Sequence, residues 1–234
     1  MAYTKRFDGR KNDELRSMEA KAGVIKNADG SGFFRIGKTT AYAAVYGPRE
    51  LHPKFLQNPK KGLLRCNYNM MPFSGAGNRV RPGRNRRSQE ISMVMEQSLS
   101  PVLDLTAFPN SVVDVFVELP ETDAGSRCAA ISAAAIALAD AGIPMKDMIS
   151  SVAVGNVDGT IVSDLDYAEE SYKEGHVSDI PVAMTHKDKK ITLLQMDGDI
   201  SKEKLIEALE MAKEATAKVY EVQKEALRNK FKGE

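Results

Sequence analysis

Residues 126–141 read Ser-Arg-Cys-Ala-Ala-Ile-Ser-Ala-Ala-Ala-Ile-Ala-Leu-Ala-Asp-Ala, with Gly125 in front, Gly142 behind and Pro144 just beyond. Helix formers with these stop signals predict a helix over 125–142, and that helix has no polar face. A helix apolar all round packs closely against its neighbours and does not lie on a surface. The rest of the chain has to supply what it packs against.

On the N-terminal side the apolar spacing is mostly that of strands. Gly23-Val24-Ile25-Lys26 leads into the turn Asn27-Ala28-Asp29-Gly30, followed by runs over 33–36 and 39–46 that Gly47-Pro48 stops. Asp-Gly between apolar runs is a hairpin signal. Residues 51–62, with two prolines and several lysines, read as an exposed loop, and 63–71 alternate as a strand. Residues 74–85 are a loop rich in glycine and arginine. Ile91, Val94, Met95, Leu99 and Val102 are spaced for a helix over 86–105, kinked at Pro101. Residues 111–119 alternate cleanly and form a strand.

Beyond the alanine helix, 152–165 read as a second hairpin centred on Asp158-Gly159, and 181–185 and 190–196 as two further strands. Ser201 caps a final helix over about 201–230, with a stripe of Leu205, Leu209, Ala212, Thr216, Val219, Gln223 and Ala226. The order predicts a layered α/β (α+β) fold. No Gly/Ser-rich linker divides it, so residues 1–234 are expected to form one domain.

Composition narrows the function classes. With 42% hydrophobic residues in 234, the chain can bury a full core. The formal net charge is +1, so any nucleic-acid contact has to come from a local patch. Cys66 and Cys128 make no disulfide framework, and His52, His176 and His186 add no metal-ligand spacing. A reducing cytoplasm fits this pattern. No stretch approaches a membrane span, and the charged start of the chain has no apolar leader segment.

One motif is rejected on physical grounds. Gly32-Phe33-Phe34-Arg35-Ile36-Gly37-Lys38-Thr39 matches the phosphate-loop pattern of nucleotide-binding proteins letter for letter. That motif needs small residues in the loop and a helix after it. Here the interior is bulky, and the following Thr-Ala-Tyr-Ala-Ala-Val-Tyr is short and β-prone. A hairpin strand ending in a Gly-Lys turn accounts for it better.

Three constellations could carry chemistry. Asp123-Ala124-Gly125-Ser126-Arg127 opens the alanine helix, where free backbone N–H groups, the helix dipole and a forked cation suit an oxyanion. On local sequence alone a plain helix cap explains it as well. Arg79, Arg81, Arg84, Arg86 and Arg87 place five arginines in nine residues without an acid. Such a run suits a phosphodiester backbone better than a balanced solvated face. Asp164, Asp166, Glu169, Glu170 and Asp179 form an acidic cluster able to protonate a leaving group or hold a divalent ion. Acid runs are usually just solvated; Asp179 stands apart, directly before the buried strand at Ile180.

Taken in order, several segments resemble the RNase PH family. They are Arg6-Phe7-Asp8-Gly9-Arg10 with Glu14-Leu15-Arg16, Asn27-Ala28-Asp29-Gly30-Ser31, Ala44-Val45-Tyr46-Gly47-Pro48, Met71-Pro72-Phe73-Ser74, Asp123 to Arg127, and Ala139-Asp140-Ala141-Gly142-Ile143-Pro144-Met145. The likeness spans nearly the whole chain. It is strongest to the catalytic subunits of archaeal-type exosome rings, to which Gly47-Pro48-Arg49-Glu50-Leu51-His52-Pro53 is also similar.

The resemblance implies an RNase PH-like fold of two related β/α halves and phosphorolysis of RNA from its 3′ end, with inorganic phosphate as co-substrate. It implies that Arg87, Gly125, Ser126 and Arg127 bind the phosphate. Arg86, with Arg79, Arg81 and Arg84, would hold the RNA backbone, and Lys54 would sit at a pore neck. Asp179 would be the general acid or would hold a metal ion such as Mg2+, with Glu170 the next candidate. The implied partners are single-stranded RNA, a related inactive subunit in a six-membered ring, and RNA-binding cap subunits. Two departures stand out: Glu169-Glu170 replaces Glu-Asp, and 171–178 is longer than the family pattern. A stand-alone tRNA-trimming enzyme and a non-catalytic ring subunit are the rival readings.

Overall fold

The alanine-rich segment is a helix, α2 (Ser126–Asp140), held between two sheets in the computed structural model, which describes residues 3, 5–76, 78–83 and 85–232. From Cys128 to Leu138 every side chain of α2 is buried. On one side lies a five-stranded sheet of β1 (Met18–Ala22), β2 (Gly30–Ile36), β3 (Thr39–Glu50), β4 (Leu63–Met70) and β5 (Ser111–Glu121), ordered β1-β2-β3-β5-β4. Only β4 and β5 run parallel, and α1 (Arg86–Leu99) makes the crossover between them. The second sheet has β6 (Ile149–Val157), β7 (Thr160–Ser163), β8 (Val177–Thr185) and β9 (Ile191–Leu194), in the order β7-β6-β8-β9 and all antiparallel. The single turn α3 (Tyr167–Glu170) joins β7 to β8, and α4 (Lys202–Lys232) ends the chain.

Small residues make this sandwich close enough to work. A Cβ built on Gly30 would fall 2.2 Å from the backbone nitrogen of Ala141, and one on Gly32 would fall 2.4 Å from the carbonyl oxygen of Ala133. The two glycines let the backbone of β2 touch that of α2. Larger side chains in place of the alanines would overpack the same seam, at a cost of roughly 1–3 kcal/mol each. α2 also packs on β3 and β6, α4 reaches from the second sheet to β1, and α1 reaches β9. One hydrophobic core accordingly includes Val45, Val115 and Ile136 together with Ile149, Leu193 and Val219.

Several expectations need correcting. The first strand is Met18–Ala22 and not 23–26, which lie in the loop after it. Gly30 is a strand residue at a helix contact, so the Asp-Gly pair marks the end of a longer loop. The α1 helix stops at Leu99, and a separate 3-10 turn (Ser100–Val102) carries Pro101, so there is no kinked helix over 86–105. β8 begins at Val177, which puts Asp179 inside the strand. The Asp158-Gly159 hairpin is as expected, with both residues at positive φ in a two-residue turn. The rejected phosphate-loop motif is a β2–β3 hairpin, with Gly37 at φ +57°. In α4 the buried stripe is Ala208, Ala212, Ala215, Thr216, Val219, Gln223 and Ala226. Gln223 is fully satisfied there: its Nε2 donates to the carbonyls of Ser132 (3.0 Å) and Ile149 (3.1 Å), and its Oε1 accepts from Ser150 Oγ at 2.6 Å.

Candidate active site

Two consecutive left-handed residues, Ala124 (φ +56°) and Gly125 (φ +63°), turn the chain from the end of β5 into α2. Ala124 is strained there, since an L-residue rarely adopts that conformation. Thr39 holds the turn in place: its Oγ1 donates to the Ala124 carbonyl at 2.7 Å and accepts from the Asp123 N–H at 2.8 Å. Gly125 occupies the N-cap position, and no side chain caps the helix. The first-turn N–H groups of α2 are thus left for a partner from outside.

The first turn of α1 faces the same space. Asn85 and Ser88 form a reciprocal capping box, with Ser88 N–H donating to Asn85 Oδ1 at 2.8 Å and Asn85 N–H to Ser88 Oγ at 3.0 Å. That cap fixes Arg86 and Arg87 in the first turn, and Arg127 is the second residue of α2. Cations there oppose the helix dipole, which favours acids at N-termini. Three arginines in two first turns break a local rule, a pattern that points to function. A bound anion would reconcile the dipoles with the cations.

Between these turns and the second sheet is a cleft of about 530 Å³. Its lining includes Arg87, Gly125, Ser126, Arg127, Glu170 and Asp179, so the structure gathers six of the expected residues in one place. Asp179 and Pro181 share a face of β8, as the strand period requires, and both line the cleft. Asp179 is pinned through its backbone, which exchanges hydrogen bonds of 2.8 and 2.9 Å with Asp197. Its Oδ1 is buried and has no hydrogen-bond partner among the described residues. Burial pushes the Asp179 carboxyl up to about 7, and the charges of Glu170 and Asp197 push the same way against the pull of Arg127 and Arg87.

The acidic cluster divides by partner. Glu169 is fully buried and takes two 2.7 Å bonds from the Arg6 guanidinium and one of 2.6 Å from Tyr3 Oη. Asp164 is buried against Arg16, and Asp166 caps α3 by accepting from Glu169 N–H at 2.8 Å. Of this cluster, Glu170 lines the cleft with Asp179. The RNA-binding candidates are more scattered. Arg86, Arg79 and Arg81 are exposed near the rim, while Arg84 lies outside the described residues. Lys54 is on the 3-10 turn Lys54–Leu56 at the far end of the five-stranded sheet, roughly 30 Å away by the ~3.3 Å rise per residue along β3.

Other cleft residues carry no sequence signal. Gln195 Oε1 accepts from Arg127 Nη1 at 2.6 Å, and Glu90 lies 3.9 Å from the same nitrogen. The buried Tyr68 hydroxyl lies close to Ser126 and Arg87, and burial raises its pKa. Among the described residues no group of three or more His, Cys, Asp or Glu could hold a metal ion, and no helix is long and apolar enough to cross a membrane.

Comparison with known proteins shows the family of the chain. The profile described as 3′ exoribonuclease family, domain 1, matches residues 14–144, and domain 2 of that family matches 147–215. The exosome complex component Rrp41 of Thermococcus kodakarensis is 50% identical over 227 residues, covering 97% of this chain and 90% of the relative. The component of the same name from Methanopyrus kandleri is 47% identical over 229 residues, covering 98% and 94%. The crystal structure of rice Rrp46 superposes with a TM-score of 0.82 at 25% identity, over 95% of this chain and 100% of that one. The chain belongs to the RNase PH family of 3′ exoribonucleases.

Proposed function

We propose that this chain is the catalytic subunit of an exosome ring and degrades RNA from its 3′ end by phosphorolysis. The observation that carries the reading is the uncapped start of α2 beside Arg127 and Arg87, facing a carboxyl group that is half protonated near neutral pH. Inorganic phosphate binds at Gly125, Ser126 and Arg127, with Arg87 closing on it from α1. An oxygen of this phosphate attacks the last phosphodiester phosphorus. The bond to the preceding 3′ oxygen breaks, that oxygen takes the proton of Asp179, and a nucleoside diphosphate leaves. The reverse reaction extends RNA from nucleoside diphosphates.

The charge of Glu170 adds to burial in raising the Asp179 pKa, and Glu170 is the next candidate for the acid. A divalent ion such as Mg2+ also fits here, because magnesium is held by one or two carboxylates plus substrate phosphates, and the unpartnered Asp179 Oδ1 with Glu170 supplies that set. Bound there, it would neutralise charge developing on the phosphates. Arg86, Arg79 and Arg81 hold the RNA backbone at the rim, Arg84 belongs to the same RNA-binding run of the sequence, and Lys54 meets the RNA further out.

The shared core supports reading residues 1–234 as one folding unit. Tyr42, Leu63 and Phe116 are exposed on the five-stranded sheet, as are Phe55 and Leu56 on the loop before β4. A related inactive subunit in a six-membered ring would cover part of this apolar surface, and RNA-binding cap subunits would complete the particle. The cytoplasm is the compartment we assign. The test is to assemble the ring and incubate it with RNA with and without phosphate. Diphosphate products that need phosphate are expected; monophosphates released in phosphate-free buffer would overturn the mechanism.

A further inference from the structure

Arg16 does not line the cleft, yet it touches both of the segments that face each other across it. It is almost fully buried, at 8% exposure. On the side of the second sheet its backbone N–H and Nε donate to Asp164 Oδ2 at 2.8 and 2.9 Å, and its Nη2 donates to Asp164 Oδ1 at 2.7 Å. On the other side its Nη1 donates to the carbonyl of Asp123 and lies 3.7 Å from that residue's carboxylate. Asp123 is the residue before the left-handed pair that opens α2. Asp164, itself at φ +55°, is the residue after β7 and leads into α3, which carries Glu170.

The surroundings are shaped for this side chain. A Cβ on Gly37 would fall 2.5 Å from Arg16 Cδ, so the β2–β3 turn is glycine where the arginine stem crosses it. Gly125 lies against Arg16 Nη2, 3.6 Å from where its own Cβ would be. The joint is reinforced where Asp123 Oδ1 accepts from Tyr167 N–H at 3.2 Å. On the other flank Arg6 Nη2 donates to the Asp164 carbonyl at 2.8 Å. A buried ion pair of this kind is a poor source of stability, since a packed apolar pair often does as well. What a guanidinium adds is a rigid fork that fixes the geometry of two partners at once.

We propose that Arg16 is a positioning residue that sets the spacing between the phosphate-binding turn of α2 and the acids Glu170 and Asp179. The inference rests on the reading of the cleft as a phosphate site. Arginine is needed because its fork reaches Asp164 and the Asp123 carbonyl together; lysine can satisfy one and not both.

The experiment is phosphorolysis by the assembled ring, with initial rates measured against phosphate and against RNA separately. Arg16→Lys should raise the KM for phosphate roughly tenfold, within the range that a ~1 Å misplacement produces, with the KM for RNA unchanged. Should that variant fold poorly, Arg16→Met combined with Asp164→Asn removes both charges and leaves neither buried alone, and asparagine tolerates the left-handed backbone at position 164. It should show the same rise in a folded protein. Arg127→Lys, measured alongside, tests the phosphate site itself. If it leaves the KM for phosphate untouched, the reading of the cleft fails. If it raises that KM while the folded Arg16 variants keep the wild-type value, whatever their kcat or melting temperature, only the positioning role is overturned.

Discussion

Arg127 Nη1 donates a 2.6 Å hydrogen bond to Gln195 Oε1, tying the first turn of α2 to the chain just past β9. Glu90 of α1 accepts from Gln195 Nε2 at 3.3 Å, so three elements share the tether. It leaves the Arg127 fork aimed at the cleft before any ligand arrives. Gln195→Leu keeps the bulk and removes the acceptor. Losing one hydrogen bond to a charged group at this half-buried site should cost about 1 kcal/mol, or roughly fivefold in the KM for phosphate. Phosphate titrations of the rate measure it, and an unchanged KM would mean that Arg127 orients itself without the tether.

The Asp179 carboxyl, pushed up to about 7, predicts how the reaction responds to pH. As general acid it acts in its protonated form, so kcat/KM should fall as pH rises through about 7. Glu170 contributes to the raised value by placing a negative charge nearby. Glu170→Gln removes that charge, makes the ionised form of Asp179 easier to reach, and should shift the alkaline limb to lower pH. A limb that stays put in this variant would assign the titration to another group.

The same carboxyl is a liability for folding. In the unfolded chain an aspartate titrates near 3.9, so between about 4 and 7 the folded protein holds a proton that the unfolded chain has lost. Stability from this group is therefore complete below about 4 and is lost as pH rises through about 7. Asp179→Asn should raise the melting temperature at pH 8 and change it little at pH 4. Thermal melts at the two values decide it, and equal shifts at both would show that the side chain is not strained by ionisation.

Much of this site could be read before the fold was known, and the reasons for the gaps are physical. Gly125, Ser126 and Arg127 sit together in the chain, and an arginine run or a lone acid before a strand is visible as text. Gln195, Asp197 and Arg16 act through contacts between residues far apart in sequence, which no local pattern announces. The acids from Asp164 to Glu170 look equivalent as letters; their separation depends on which of them meets a buried arginine. β1 leaves no signal in the sequence because Met-Glu-Ala-Lys-Ala carries no β-branched or aromatic residue. Gly30 reads as a turn residue in the sequence because a turn glycine and a glycine under a helix backbone look alike until the helix is in place.

The distance between Lys54 and the cleft gives a test that separates two kinds of phosphate contact. Arg127 and Arg87 line the cleft together, where the geometry of the fork outweighs net charge. Lys54 is highly exposed and lies 3.9 Å from Glu50, so any contact it makes with RNA is diffuse and screened by salt. Lys54→Ala in the ring should weaken binding of long RNA and make its dependence on salt shallower by roughly one unit of slope. A trinucleotide seated at Asp179 is too short to span roughly 30 Å, so its turnover should be the same with and without Lys54. Arg127→Lys should have the opposite profile, raising the phosphate requirement for short and long RNA alike, even at low salt. Affinity against salt and rate against phosphate, measured for both RNA lengths, separate the two roles. A loss of trinucleotide turnover in Lys54→Ala would show that the lysine acts at the cleft itself, against the placement of the β3–β4 loop at the opposite end of the sheet.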